Sequence, residues 1–331
     1  MDQLDQRGKF TNSRLTELKS RLGKAGEIAE GRACVYATGS YGRGEACQHS
    51  DLDIFLVGPD DQTRGGEWKP RLSRLDEICL KAEIIHATKE MGFPDFSGDG
   101  KYLALHSSRH LTINLGGRED DSSNTFTARL LLLLESRPLV EDAVYNEMID
   151  AVIAAYWRDY ADHMDRFVPA FLINDILRLW RTFCVNYEAN TQREPDEKKA
   201  KGRLQNFKLK HSRMLTCYSA ILFLLHRFAR YGTVSVEDAK AMVAFTPTQR
   251  VQFLLDEDTC SPAHPVLRSL LQKYDEFLQV THAPEEVQIA AFLDRQQSRE
   301  RLEQAAKFGD DVAEAVNRIG KSGRLLRLLT V

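Results

Sequence analysis

The chain has 331 residues, 43% hydrophobic and 28% charged, with a formal net charge of -3. Those values exclude a disordered chain and a broadly basic nucleic-acid binder, and they leave room for two domains of ordinary size and for a local basic patch. Six scattered cysteines (Cys34, Cys47, Cys79, Cys184, Cys217, Cys260) show neither zinc-ligand spacing nor a disulfide framework and read as core residues in a reducing cytoplasm.

Thr11 to Ala29 carries Leu15, Leu18, Leu22 and Ile28 between charges, the spacing of an amphipathic helix. Ala33 to Ala37 is an apolar strand, followed by Gly39-Ser40-Tyr41-Gly42-Arg43-Gly44. Three glycines in that short span free the backbone to turn its N–H groups outward. Such a turn can cradle phosphate oxygens, helped by the Ser40 hydroxyl and the Arg43 guanidinium. The stretch Asp51-Leu52-Asp53-Ile54-Phe55-Leu56-Val57 reads as a strand entering the core, and alternation then puts Asp51 and Asp53 on one face with Leu52 turned inward. Two carboxylates held that close repel unless a cation lies between them, and hard oxygen ligands suit Mg²⁺.

Gly-Ser, a short gap and Asp-x-Asp on a strand resemble the signature of the DNA polymerase β-like nucleotidyltransferases. The spelling GSYGRGE…SDLDIFLV is most similar to the branch that contains the protein-PII uridylyltransferases, and the resemblance is tight over about Val35 to Val57. It implies an α+β domain with a small mixed sheet, in which Gly39 and Ser40 hold the triphosphate and Asp51 and Asp53 hold Mg²⁺ or Mn²⁺. It also implies a third carboxylate that completes the metal site; Asp95, between Phe93 and Phe96, is the first choice and Asp99 the second. The reaction implied is transfer of NMP from an NTP to a hydroxyl acceptor with release of pyrophosphate.

Farther along, Trp68 to Met91 is expected to be a long helix, Tyr102 to Leu105 a short strand or helical turn, and Thr125 to Ser136 an apolar helix broken by Pro138. That break sets the expected seam: a catalytic domain over residues 1–138 and an all-helical domain over 139–331. In the second part, Asn174, Arg178 and Arg181 form a stripe at helical spacing, as do Arg203, Asn206, Lys210 and Arg213. The segment from Lys198 to Arg213 contains no carboxylate, so Lys210 and Arg213 are candidates for phosphate or acceptor contact.

The uridylyltransferase likeness favours a protein acceptor, whereas the basic segment suits RNA or a nucleotide acceptor about as well. A catalytically silent nucleotide-binding regulator is the competing class. DNA and membrane are not expected as partners. The longest apolar runs are too short to span a bilayer and Met1 leads into Asp2-Gln3-Leu4-Asp5, so a cytoplasmic location is expected.

Overall fold

Leu15, Leu18 and Leu22 recur at helical spacing, and in the computed structural model all three are buried along helix α1 (Asp2–Arg21) and at its end. The structure describes residues 2–96, 100, 103–189, 196–320 and 324–327. It divides into two compact units, Gln6–Arg158 and Met1–Asp5 with Asp159–Val331.

In the first unit the expected single helix is two, because Leu22 leaves the helical conformation and α2 (Gly23–Ala29) restarts after it. Strand β1 (Cys34–Thr38) is buried along its whole length and runs into the short helix α3 (Gly39–Arg43). Strand β2 (Asp53–Gly58) pairs antiparallel with β1, from Cys34 opposite Val57 to Thr38 opposite Asp53. Where the long helix was expected to begin, Trp68 instead opens a strand, and the chain forms a hairpin of β3 (Asp60–Gln62) with β4 (Trp68–Pro70). Helix α4 therefore starts at Arg74, where the Ser73 side chain accepts the Asp76 N–H, and ends at Glu90.

Strand β5 (Leu105–Ser107) pairs parallel with β2, Leu56 opposite Leu105. Helices α5 (Ser108–Ile113) and α6 (Arg118–Ser122) lead to α7 (Thr125–Leu134), whose leucines 130–134 are all buried. A buried ion pair ties α6 to α7: Arg129 donates to both carboxylate oxygens of Asp120, at 2.8 and 2.7 Å.

The sheet has the order β5-β2-β1-β6, so β6 (Arg137–Val140) lies at one edge, where Pro138 removes no central ladder hydrogen bond. Proline read as a breaker put the seam after residue 138, within β6. In the structure β6 pairs with β1 and α8 (Asp142–Tyr156) packs on the sheet, so the first unit continues to Arg158.

The second unit is helical throughout its described residues: α9 (Ala170–Glu188), α10 (Asp196–Lys208), a π-turn (Leu209–Arg213) and α11 (Met214–Tyr231) come first. The helical stripe from Arg203 to Arg213 thus runs into a wider turn. It places His211 in a nest of Phe207, Phe277 and Phe308. Then come α12 (Val236–Ala244), α13 (Pro247–Leu255), α14 (His264–Val280), α15 (Glu285–Leu293), α16 (Arg295–Gly320) and α17 (Arg324–Arg327). Capping boxes at Ser235 and Thr246, the latter followed by Pro247, fix the starts of α12 and α13. Two cations of the Lys198–Arg213 segment find carboxylates outside it, Lys199 on Asp196 at 3.7 Å and Lys201 on Glu285 at 2.8 Å. Cys79 is exposed and Cys184 half-buried, while the other four cysteines are buried.

Candidate active site

Strand β1 ends at Thr38 and the chain turns at once into α3. Gly39 takes a φ of +64°, and a Cβ added there would lie 2.6 Å from Asp53 Oδ2. Glycine is therefore required twice, for its conformation and for its lack of a side chain. The same distance places the Asp53 carboxylate against the first residue of the turn. Register explains this, since Thr38 opposite Asp53 is the last pair of the β1–β2 ladder and the two chains leave the sheet side by side.

Asp51 comes just before β2 rather than within it. Asp51 and Asp53 are both exposed and Leu52 between them is 5% exposed, the in-and-out alternation of an extended chain. Burial pushes the Tyr41 phenol up, a hydrogen bond from Arg14 opposes it, and the Asp51 charge is among the influences that raise it. One aspartate thus touches Gly39 and the other acts on Tyr41, two residues along the same turn.

The turn is held from beneath by residues that its own motif does not reveal. Glu135, 2% exposed, accepts the Gly39 N–H at 3.2 Å through Oε1 and a bond from Arg43 Nη1 at 2.9 Å through Oε2. Arg43 Nε also pairs with the buried Glu45 carboxylate. The Glu135 carbonyl lies against Gly42, where a Cβ would collide with it. Arg7 Nη1 donates to the Glu45 carbonyl at 3.0 Å, and the Ala46 N–H donates to Thr11 Oγ1 at 2.9 Å, so α1 is bonded to the loop after α3.

This changes the part expected of Arg43. Its side chain is 8% exposed and bonded to two carboxylates, so it braces the turn and is not a cation offered to phosphate. Ser40 is half-buried at the second position of α3. Asp95, the first choice for a third carboxylate, has an 83% exposed side chain and lies 3.7 Å from Lys89. Asp99 lies outside the described residues, and among those described no group of three His, Cys, Asp or Glu could hold a metal ion. Lys210 and Arg213 belong to the second unit, in the π-turn, with the Arg213 guanidinium 5.3 Å from the centre of the Phe183 ring.

Glu135 had a faint sequence signal: it is a carboxylate that directly follows five leucines. An acid in so apolar a setting needs buried donors.

No helix among the described residues is long and apolar enough to cross a membrane. Comparison with known proteins finds one family model, described as nucleotidyltransferase domain, matching residues 15–96. No curated protein and no solved structure matches the chain. The matched residues 15–96 include the glycine turn and both aspartates.

Proposed function

We propose that the protein transfers NMP from an NTP to a hydroxyl group on a protein, releasing pyrophosphate, with Asp51 and Asp53 holding a divalent cation. The observation that carries this reading is the Asp53 carboxylate set against Gly39, with Asp51 exposed two residues before it across the buried Leu52. Two exposed carboxylates on either side of a buried leucine offer hard oxygen ligands and leave room for water, which fits Mg²⁺ or Mn²⁺. A cation bound there supplies charge neutralisation at the phosphate oxygens.

The chain's own residues do the positioning. The Gly39 N–H is taken by Glu135, so the triphosphate is left to the Ser40 hydroxyl and the amides that follow it at the start of α3. Glu135 and Arg43 fix that turn, which orients the phosphates for in-line displacement by the acceptor hydroxyl. The protein acceptor rests on the likeness of GSYGRGE…SDLDIFLV to the uridylyltransferase branch.

A second reading, a regulator that binds nucleotide without turning it over, is favoured by one observation: no described carboxylate joins Asp51 and Asp53 in a three-ligand group. One experiment separates the two. The full chain is incubated with each α-³²P-labelled NTP, Mg²⁺ or Mn²⁺, and cell lysate, and label is followed into protein, RNA and small molecules. Transfer to protein that disappears in Asp51→Ala and Asp53→Ala is expected. NTP binding with no label in any fraction establishes the regulator, and label in RNA or nucleotide moves the acceptor to that class.

A further inference from the structure

Helix α16 turns Arg295, Arg299, Leu302, Glu303 and Ala306 toward one side of a trough of about 760 Å³. Their spacing is that of a single helix face over about three turns, roughly 16 Å. Lys199 and Arg203 of α10 line the trough as well, and Phe292 and Leu293 at the end of α15 add apolar surface.

The charges in the trough do not cancel. Lys199 lies 3.7 Å from Asp196, and Arg299 lies 3.0 Å from Glu303. Those two pairs use both carboxylates that line it. Arg203 and Arg295 are exposed and, among the described residues, neither makes an ion pair with a carboxylate. Two guanidinium groups, one from α10 and one from α16, are therefore in surplus. The lining also includes Leu302 and Leu293, the latter 49% exposed.

Length, apolar lining and flanking cations match the way an amphipathic helix lies in a groove, its apolar residues inward and its charged residues at the rim. The sign of the surplus makes that helix acidic, since carboxylates meet guanidinium groups in a bidentate fork. Single-stranded nucleic acid would need open aromatic faces for its bases. The one aromatic ring in the lining, Phe292, is 1% exposed.

We infer that the trough between α10 and α16 is a docking site for an acidic amphipathic helix of a partner protein. Leucine-type side chains of the partner pack on Leu293 and Leu302, and its carboxylates engage Arg203 and Arg295. Every residue involved lies in the second unit, so the inference stands or falls separately from nucleotidyl transfer.

The test uses the full chain and a fluorescein-labelled peptide of about 18 residues, roughly 27 Å as a helix, with leucine at three- and four-residue spacing and glutamate elsewhere. Anisotropy titration is expected to give saturable binding that weakens about tenfold in the doubly substituted Arg203→Glu, Arg295→Glu chain, and also weakens as salt rises from about 50 to 200 mM. Should the reversed chain fail to fold by circular dichroism, the Arg203→Gln, Arg295→Gln chain is read instead, with a loss of about threefold expected. Asp53→Asn is expected to bind the peptide as the parent does. Absence of binding, or equal binding by parent and reversed chains, overturns the inference. So does displacement of the peptide by polyuridylate, which assigns the trough to nucleic acid.

Discussion

Glu135 joins the fold to the candidate chemistry at the scale of one side chain. It is buried, it fixes the Gly39 N–H and it shares Arg43 with Glu45. Removing one charge from such a set leaves a buried guanidinium short of a partner, which costs roughly 3 kcal/mol when one carboxylate remains. Glu135→Gln is expected to lower the melting temperature by roughly 6–12 °C and kcat/KM for NTP by about tenfold through misplacement of the turn. A variant with unchanged stability and turnover would remove Glu135 from the account. Gly39→Ala is expected to lose transfer more completely, because its Cβ both strains a φ of +64° and pushes on the Asp53 carboxylate. Steady-state kinetics of the folded variant checks this, and near-normal turnover would contradict it. The glycine turn and the aspartate pair were legible in the sequence because backbone freedom and side-chain alternation are local properties. The role of Glu135 was not, since the buried cation that it holds, Arg43, lies 92 residues away along the chain.

Among the elements, those with a clear period were placed well and those made by partners were not. β1 and β2 follow from apolar strands on either side of a glycine turn. The β3–β4 hairpin is exposed and short, so no burial pattern marks it. β6 was hidden by Pro138, which an edge strand tolerates and a sequence reader takes as a stop. The π-turn could not be read because its reason is tertiary: it sets His211 against three phenylalanines. Burial there pushes the His211 imidazole down from 6.5 to about 4, against the pull of its hydrogen bond to the Phe207 carbonyl. The folded chain keeps this histidine neutral where the unfolded chain would protonate it. Stability is therefore lost as pH falls from about 6.5 toward 4, by about 1.4 kcal/mol for each pH unit in that window. Denaturant titrations at pH 7, 6 and 5 on the parent and on His211→Phe check this. The variant is expected to lose that part of the slope, and an unchanged slope would show that the burial of His211 is not its source.

At the scale of the whole molecule, the division into two units after Arg158 gives a prediction about the chain between them. Residues 158–166 are exposed or half-buried, with only a single short turn of 3₁₀ helix at Tyr160–Asp162. Limited tryptic digestion is expected to cut after Arg158 or Arg166 and leave the two units as separate resistant fragments. Survival of that segment while the units themselves are degraded would contradict the division. The second unit was legible as helical from its periodicity, but its task was not, since charge stripes do not say which cations find partners. The structure settles that for Lys199 and Lys201, which do, and for Arg203 and Arg295, which make no ion pair among the described residues.

The proposed function requires Asp51 and Asp53, set beside the Gly39 turn, to hold a divalent cation together with a triphosphate. Its most direct measurement is Mn²⁺ binding followed by electron paramagnetic resonance, with and without a non-hydrolysable NTP, on the parent chain and on Asp53→Asn. NTP is expected to strengthen Mn²⁺ binding in the parent, and the substitution to weaken it about tenfold or more while the fold is kept. Equal Mn²⁺ affinity in the two chains, with NTP present, would contradict it.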